Sequence, residues 1–503
     1  MTPPKAAVQQ AEAAPAAAAA AAAEEEALSL LDGIIDQSRM ARSDTERERA
    51  RDLIGEMVDQ ILEGTLTVSR DLVSALEARI AELDRLLSEQ LSAVMHAPEF
   101  QQLEASWRGL HYLVHQTETG TNLKLRLLNV SKSDLIKDLK SASEFDQSAI
   151  FKKVYTEEYD TFGGAPFAAL VGDYEFSNHP QDLFLLEEMS HVAAASHAPF
   201  LSAASPDMFG LDSFTELNAP RDLAKIFDTV EYAKWKSLRD SEDSRYLALT
   251  MPHVLGRLPY GSRTQPVEAF DFEEEVDGTD HSKYLWTNAA YTLGTRLTEA
   301  FAKHGWCAAI RGVEGGGLVE GLPTHTFTTD LGEVAMKCPT ETVIPERRAR
   351  ELRDLGFTPL EHCKGTDYAA FFDTPSAQKP KQYDTAAANA NARLSAQIQY
   401  IMAVSRIAHY LKAICRDKIG SFGARKNVQD YLNQWIAQYV LLDDDASQEA
   451  KAKKPLREAR IDVSEIPGKP GCYNAVAFLR PHFQLDELTV SLRLVAELPA
   501  PVK

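Results

Sequence analysis

The sequence predicts a multi-domain α+β protein: a helical N-terminal region, a central mixed α/β domain and a smaller C-terminal α+β domain that ends in a strand. Three observations carry this. The length of 503 residues exceeds what one hydrophobic core normally serves. The apolar spacing changes from helical to alternating near residue 122. The chain closes on "LTVSLRLVAELPAPVK", in which Leu488, Val490, Leu492 and Leu494 alternate with Thr489, Ser491 and Arg493. A strand so near a chain end either closes an internal sheet or reaches for another molecule.

Each element follows in order. Residues 1–27 are of low complexity, with an unbroken alanine run from Ala16 to Ala23. Alanine favours helix but buries little, so a disordered tail or a fraying helix is expected. Residues 28–118 form the helical region. Leu72, Leu76, Ile80, Leu83, Leu87 and Leu91 fall three or four apart and make one apolar stripe, to be covered by another helix of the chain or by a second chain. "FQQLEASWRGLHYLV" (100–114) continues helically, with Phe100, Leu103, Trp107, Leu110 and Val114 on one face.

The α/β domain spans 119–372. It opens where Leu123, Leu125 and Leu127 alternate as a strand, followed by a helix capped by Ser131 or Ser133. "FAALVGDYEF" (167–176) reads as a buried strand, 180–205 as a helix and a strand, and 245–261 and 306–323 as further strands. The stretch 264–282 holds Glu268, Asp271, Glu273, Glu274, Glu275, Asp277 and Asp280 and reads as a solvated loop, since it lacks the ligand rhythm of a calcium loop. A polar linker (373–384) precedes the last domain (385–503). There a long helix runs through "LSAQIQYIMAVSRIAHYLKAICRDKIGSF" and a second covers 425–441. "CYNAVAFLRPHFQ" and the chain end supply a terminal pair of strands. The long helix carries Arg406, Lys412, Arg416 and Lys418, which either meet acidic groups of a partner or pair locally, for instance with Asp417.

Composition narrows the function. An apolar fraction of 44% is ample for real cores, and a formal charge of −21 argues against nucleic-acid binding, which needs clustered Lys and Arg. The five cysteines (Cys307, Cys338, Cys363, Cys415, Cys472) are widely spaced, as expected of reduced structural thiols. There is no leader pattern and no apolar run long enough to span a bilayer, so a cytoplasmic protein without membrane insertion is expected.

Catalytic motifs are scarce. GxSxG, GxGxxG, HExxH and CxxC are absent, and "GVEGGG" (312–317) lacks the Lys-Ser or Lys-Thr that grips a nucleotide, so a tight turn or close backbone contact is expected there. Cys338, His362 and Cys363 could begin a zinc site, but adjacent His and Cys normally diverge and no fourth ligand is near; a buried thiol beside a satisfied histidine is expected instead. Asp173, Glu175 and His179 pair acids with a histidine but have no marked nucleophile. Arg347, Arg348, Arg350 and Arg353 alternate with Glu346, Glu351 and Asp354, as in a self-paired surface helix. No enzyme is expected.

Longer stretches are more specific. "VGDYEFSNHPQD" (171–182), "AAASHAPFLSAASP" (193–206), "RLPYG" (257–261), "GWCAAIRGVEGGGLVEGLPTH" (305–325), "KCPTE" (337–341), "HCKGTDYAAFF" (362–372), "SRIAHYLK" (405–412), "RDKIGSF" (416–422) and "FLRPHFQLDELTVSLRLVAELP" (478–499) occur in one order over most of residues 70–499. In these blocks the chain resembles the large subunit of the type VI secretion contractile sheath. The resemblance implies a structural subunit without catalytic, cofactor or metal residues. It implies an obligate heterodimer with the small sheath subunit, and contacts with other sheath protomers, inner tube hexamers, a baseplate and an AAA+ recycling unfoldase. The strand at 486–496 would then join an intermolecular sheet through Leu488, Val490, Leu492 and Leu494. The stripe through Leu76, Ile80, Leu83 and Leu87 would pack on the small subunit. Arg406, Lys412, Arg416 and Lys418 would face the tube or a neighbour. The alternatives are a non-catalytic adaptor in a finite complex and, further off, an uncharacterised hydrolase.

Overall fold

The computed structural model describes residues 43–62, 72–329, 331–417, 425–443, 445–465 and 473–482. The chain divides into two compact units, Met1–Ser88 with Glu268–Phe272, and Glu89–Val267 with Glu273–Lys503. In the first, helix α1 (Asp44–Leu62) opens on a reciprocal cap. Ser43 Oγ accepts from the Glu46 amide at 3.3 Å, and the Glu46 carboxylate accepts from the Ser43 amide at 3.2 Å. Helix α2 (Leu72–Met95) begins in the same unit, and the N-terminal region is helical as expected.

In the second unit, α3 (Pro98–His115) precedes α4 (Lys132–Ser141), whose cap is Ser131, accepting from the Asp134 amide at 3.1 Å. The segment between them departs from expectation. Leu123–Leu127 pairs with no strand among the described residues, and Leu125 and Leu127 are exposed. Alternation sets which side chains share a face, but a ladder also needs a neighbouring strand.

The centre of the unit is a parallel sheet. Strand β1 (Leu170–Phe176), helix α5 (Pro180–Ser196), β2 (Phe200–Ala204) and β3 (Leu247–Met251) follow in sequence. Beyond them come α6 (Ala290–His304), β4 (Leu318–Val319), the hairpin β5 (Thr326–Thr328) and β6 (Val334–Met336), and α7 (Glu346–Asp354). Then come β7 (Thr358–Pro359), β8 (Glu361–His362) and β9 (Ala369–Ala370). The main sheet runs β1-β2-β3-β7, all parallel. Every residue of β2 and β3 is buried because both faces are covered. Phe200, Ala204, Leu247, Leu249 and Met251 enter a core with Leu185, Leu186 and Met189 of α5. Leu201 and Ala248 enter the opposite core with Leu293 and Leu297 of α6.

The β1–β2 register breaks between Val171 and Glu175. There the buried Ser202 hydroxyl lies 2.9 Å from the Gly172 and 2.7 Å from the Tyr174 carbonyl oxygen. Residues 373–378, in the stretch read as a linker, are buried along the same sheet. The Ala377 amide donates to the Leu247 carbonyl at 2.9 Å and Thr358 Oγ1 to the Pro375 carbonyl at 3.0 Å.

The C-terminal part holds α8 (Ile398–Asp417), α9 (Arg425–Ala437), β10 (Leu456–Glu465) and β11 (Tyr473–Pro481). Ile407, Leu432, Ile436, Leu456, Ile461 and Val463 form its core with Trp306. β11 lies antiparallel to β10, a strand not anticipated from the sequence, and the expected pairing of β11 with the chain end lies outside the described residues. A register irregularity between Leu456 and Glu458 breaks the alternation that would have marked β10. Asn433 of α9 covers the outer edge of β10, accepting from the Ile461 amide at 2.9 Å and donating to its carbonyl at 2.7 Å.

Two histidines, His409 buried and His253 part-buried, lock elements together in opposite protonation states. His409 of α8 lies 2.8 Å from the Ser196 carbonyl at the end of α5 and 3.0 Å from the Arg406 guanidinium. Burial, opposed only partly by the Ser196 bond, brings it down to about 4, so it is neutral. His253 sits between Glu175 and Glu341. Burial works against its charge, yet the two carboxylates outweigh it and raise it to about 10, so both ring nitrogens donate.

Two outcomes follow in urea unfolding of the full chain. Asn433→Ala strips both bonds from the β10 edge and should cost about 1–3 kcal/mol. Stability should fall on both sides of neutrality. Below pH 6.5 the unfolded imidazole takes a proton that folded His409 refuses until about pH 4. Above pH 6.5 the unfolded His253 is already neutral, so its ion-pair contribution fades as the pH nears 10. His409→Gln should flatten the acid limb only.

Candidate assembly surfaces

The residues that tempted a catalytic reading do not converge. Burial raises the Asp173 carboxyl, which bonds Ser106 and Tyr291. Glu175 turns to His253 at 2.8 Å, and His179 caps α5, accepting from the Gln181 amide at 3.3 Å. Cys338 does meet His362, but Cys363 is exposed and bonds Tyr368 instead. Among the described residues no group of three His, Cys, Asp or Glu could hold a metal ion. The glycine stretch is a tight turn. Gly312 and Gly316 have φ of 72° and 91°, and a Cβ at Gly317 would lie 2.4 Å from the Phe371 carbonyl oxygen. In α7, Arg348 pairs with Glu351 at 2.6 Å and Arg350 with Glu346 at 3.7 Å, a self-paired helix.

The acidic stretch holds what composition missed. Glu274 is buried and takes Arg257 at 2.6 Å, His96 at 3.1 Å and the Tyr260 amide at 2.9 Å. Arg257 also reaches Glu104 of α3 at 2.8 Å. Though burial opposes it, these guanidinium contacts hold the Glu104 carboxyl below its usual range. The signal was the lone Arg257 in "RLPYG", visible only once the fold set it beside Glu274.

The surfaces fit for assembly are apolar faces and a strand edge. On α2, Ile80 is 57% exposed, Leu83 and Leu87 are also exposed, and Leu76 is half-buried. On α3, Trp107 is 63% exposed, with Phe100, Leu103 and Val114 exposed on the same face. Among the described residues the β10–β11 sheet has two strands. Asn433 covers its β10 edge, while no described strand lies along the far edge of β11, where Val476 and Phe478 are exposed.

The basic residues of α8 have partners within the chain. Lys412 pairs with Asp160 at 2.7 Å and lies 3.8 Å from the Tyr159 ring centre. Arg416 donates to the Thr161 carbonyl at 3.0 Å, and Arg406 stacks on Tyr410. Lys418, Leu488, Val490, Leu492 and Leu494 lie outside the described residues.

Comparisons with known proteins then place the chain. A family model described as "EvpB/VC_A0108, tail sheath N-terminal domain" matches residues 77–378. A second, "EvpB/VC_A0108, tail sheath gpW/gp25-like domain", matches residues 387–498. A Pseudomonas aeruginosa protein, "Type VI secretion system sheath protein TssC1", is 53% identical over 462 residues, covering 91% of this chain and 93% of that one. A cryo-EM structure of the anti-feeding prophage baseplate, 6-fold symmetrised, aligns over 61% of this chain and 65% of that one at 9% identity with a TM-score of 0.33, too slight a likeness to bear on the fold. The two family matches and the relative, spanning nearly the whole chain, show that it belongs to the EvpB/VC_A0108 tail-sheath family and is a structural subunit of the contractile type VI secretion sheath, not an enzyme.

Proposed function

We propose that the chain forms an obligate heterodimer with the small sheath subunit in the cytoplasm. These heterodimers stack helically on a baseplate around an inner tube of hexameric rings. Contraction drives the tube toward a target cell, and an AAA+ unfoldase recycles the contracted form. A helical array needs contacts between unlike surfaces that leave its ends open. Contraction needs two lattices of different energy, with the extended one held behind a barrier, so the sheath itself requires no nucleotide.

The observation that supports the reading is the far edge of β11, along which no strand lies among the described residues. Backbone groups along such an edge recruit a strand, and the alternating side chains of that strand set its register. Residues 486–496 alternate in the required way, and on this reading they join a sheet with strands of another protomer or of the small subunit. Four apolar side chains half-buried there would contribute roughly 4–8 kcal/mol before ordering costs. The exposed stripe of α2 supports a helical contact with the small subunit through Leu76, Ile80, Leu83 and Leu87. Lys412, whose side chain remains 30% exposed, and Arg406, Arg416 and Lys418 would add contacts to acidic groups of the tube or a neighbour.

Co-expression with the small subunit, viewed by negative-stain microscopy, tests this. Long tubes are expected; a finite complex would favour an adaptor. Deleting 486–503 should leave heterodimers but abolish long sheaths, and normal sheaths would refute the strand link. Val490→Asp should disrupt assembly and Arg493→Asp, on the opposite face, should not; equal effects would refute the register. Ile80→Asp with Leu87→Asp should remove the small subunit from the pull-down, and its unchanged recovery would refute the α2 contact.

A further inference from the structure

The apolar phase of β11 continues in the sequence beyond the strand's last residue. Ala477 and Leu479 pack on the C-terminal core, whereas Val476 and Phe478 are exposed, so the odd positions of this strand face the body. The odd phase runs on through Phe483 and Leu485 and then breaks. Asp486 and Glu487 interrupt it, and beyond them Leu488, Val490, Leu492 and Leu494 are apolar at even positions. In an extended chain such a change of phase turns the apolar side chains to the opposite face. Phe483–Leu485 and Leu488–Leu494 therefore serve different surfaces.

A surface for the first of these lies where the chain leaves β11. His482 is buried, and its amide donates to the Pro455 carbonyl at 3.1 Å. Pro481 and His482 line an open cleft of about 300 Å³ together with Ala452 and Pro455, the glycine turn, and one face of α6 from Arg296 to His304. Those eight steps of helix rise about 12 Å. Four extended residues, Phe483 to Asp486, cover about 13 Å. Arg296 is nine-tenths buried; its guanidinium bonds the Leu318 carbonyl and Glu299, while its Nε has no partner. His304 Nδ1 is also buried without one. A main-chain segment, with one donor and one acceptor at each residue, suits such a pair.

We propose that Phe483–Leu485 dock in this cleft as an anchor, so that the arm free to reach another molecule begins at Asp486. Phe483 and Leu485 keep the body-facing phase of β11 and meet the apolar lining, which includes Ala300, Val313 and Ala452. The charged groups around the cleft set where docking ends. Glu299 is taken by Arg296 and Lys303, and Glu449 by Lys453, while Glu314 and Glu320 border the cleft as exposed carboxylates. A neutral Phe-Gln-Leu run is accepted there, whereas Asp486 and Glu487 are repelled by like charge, and the phase break falls at those two residues. The anchor does not depend on which chain the strand beyond it joins.

Limited chymotrypsin digestion of the dilute full chain, read by peptide mass spectrometry, tests this. The protease cuts after Phe and Leu, so the segment carries its own markers. Cleavage after Leu488 and Leu492 should be about tenfold faster than after Phe483 and Leu485. Val313→Trp, which crowds the cleft, and Phe483→Asp, which removes the anchor, should each bring cleavage after Leu485 up to the rate after Leu488. Leu485 cut as fast as Leu488 in the native chain, or protection at Leu485 unchanged in Phe483→Asp, would overturn the proposal. Phe483→Asp alters no described residue, so it decides the matter if Val313→Trp does not fold.

Discussion

Backbone groups along a strand must be bonded, and the structure turns on how each edge and irregularity meets that demand. A buried N–H or C=O left without a partner costs as much as several favourable contacts return. The β1 irregularity is met by the Ser202 hydroxyl, which serves the Gly172 and Tyr174 carbonyls. The β3 side of the main sheet is met by β7 and by the Ala377 amide. The β10 edge is met by Asn433, whose amide group matches one backbone donor and one acceptor. The far edge of β11 stands apart: no described strand lies along it, and it carries apolar side chains outward.

Charge follows the same division. The chain carries a large negative excess, yet its charged groups of most structural consequence are inside or pinned to the fold. Arg257 draws Glu104 and Glu274 together, His253 joins Glu175 to Glu341, and Lys412 ties α8 to Asp160. Breaking the buried Arg257–Glu274 pair would leave a charge without water or a counter-ion, so that pair fixes geometry more than it adds stability.

Much of this was legible in the residues. The apolar strands at 200–204 and 247–251, the helix cap at Ser131 and the stripe of α2 are local patterns, and local patterns survive folding. The self-pairing of α7 and the glycine turn at 312–317 are local too. What misled were features whose meaning depends on distant neighbours. Leu123–Leu127 alternate but have no described strand beside them, β10 hides behind an irregularity, and the acids at 273–280 read as solvated although Glu274 is buried.

The sequence by itself determined the secondary-structure periods, the class of the fold, and, through its long ordered blocks, the resemblance to contractile sheath subunits. Only the tertiary structure decided that β11 pairs with β10 and that Asn433 closes one edge. The reason is physical. Helical and strand periods arise from steric preferences over a few consecutive residues, whereas partners across a sheet or a core are chosen by burial and hydrogen-bond satisfaction summed over the whole chain.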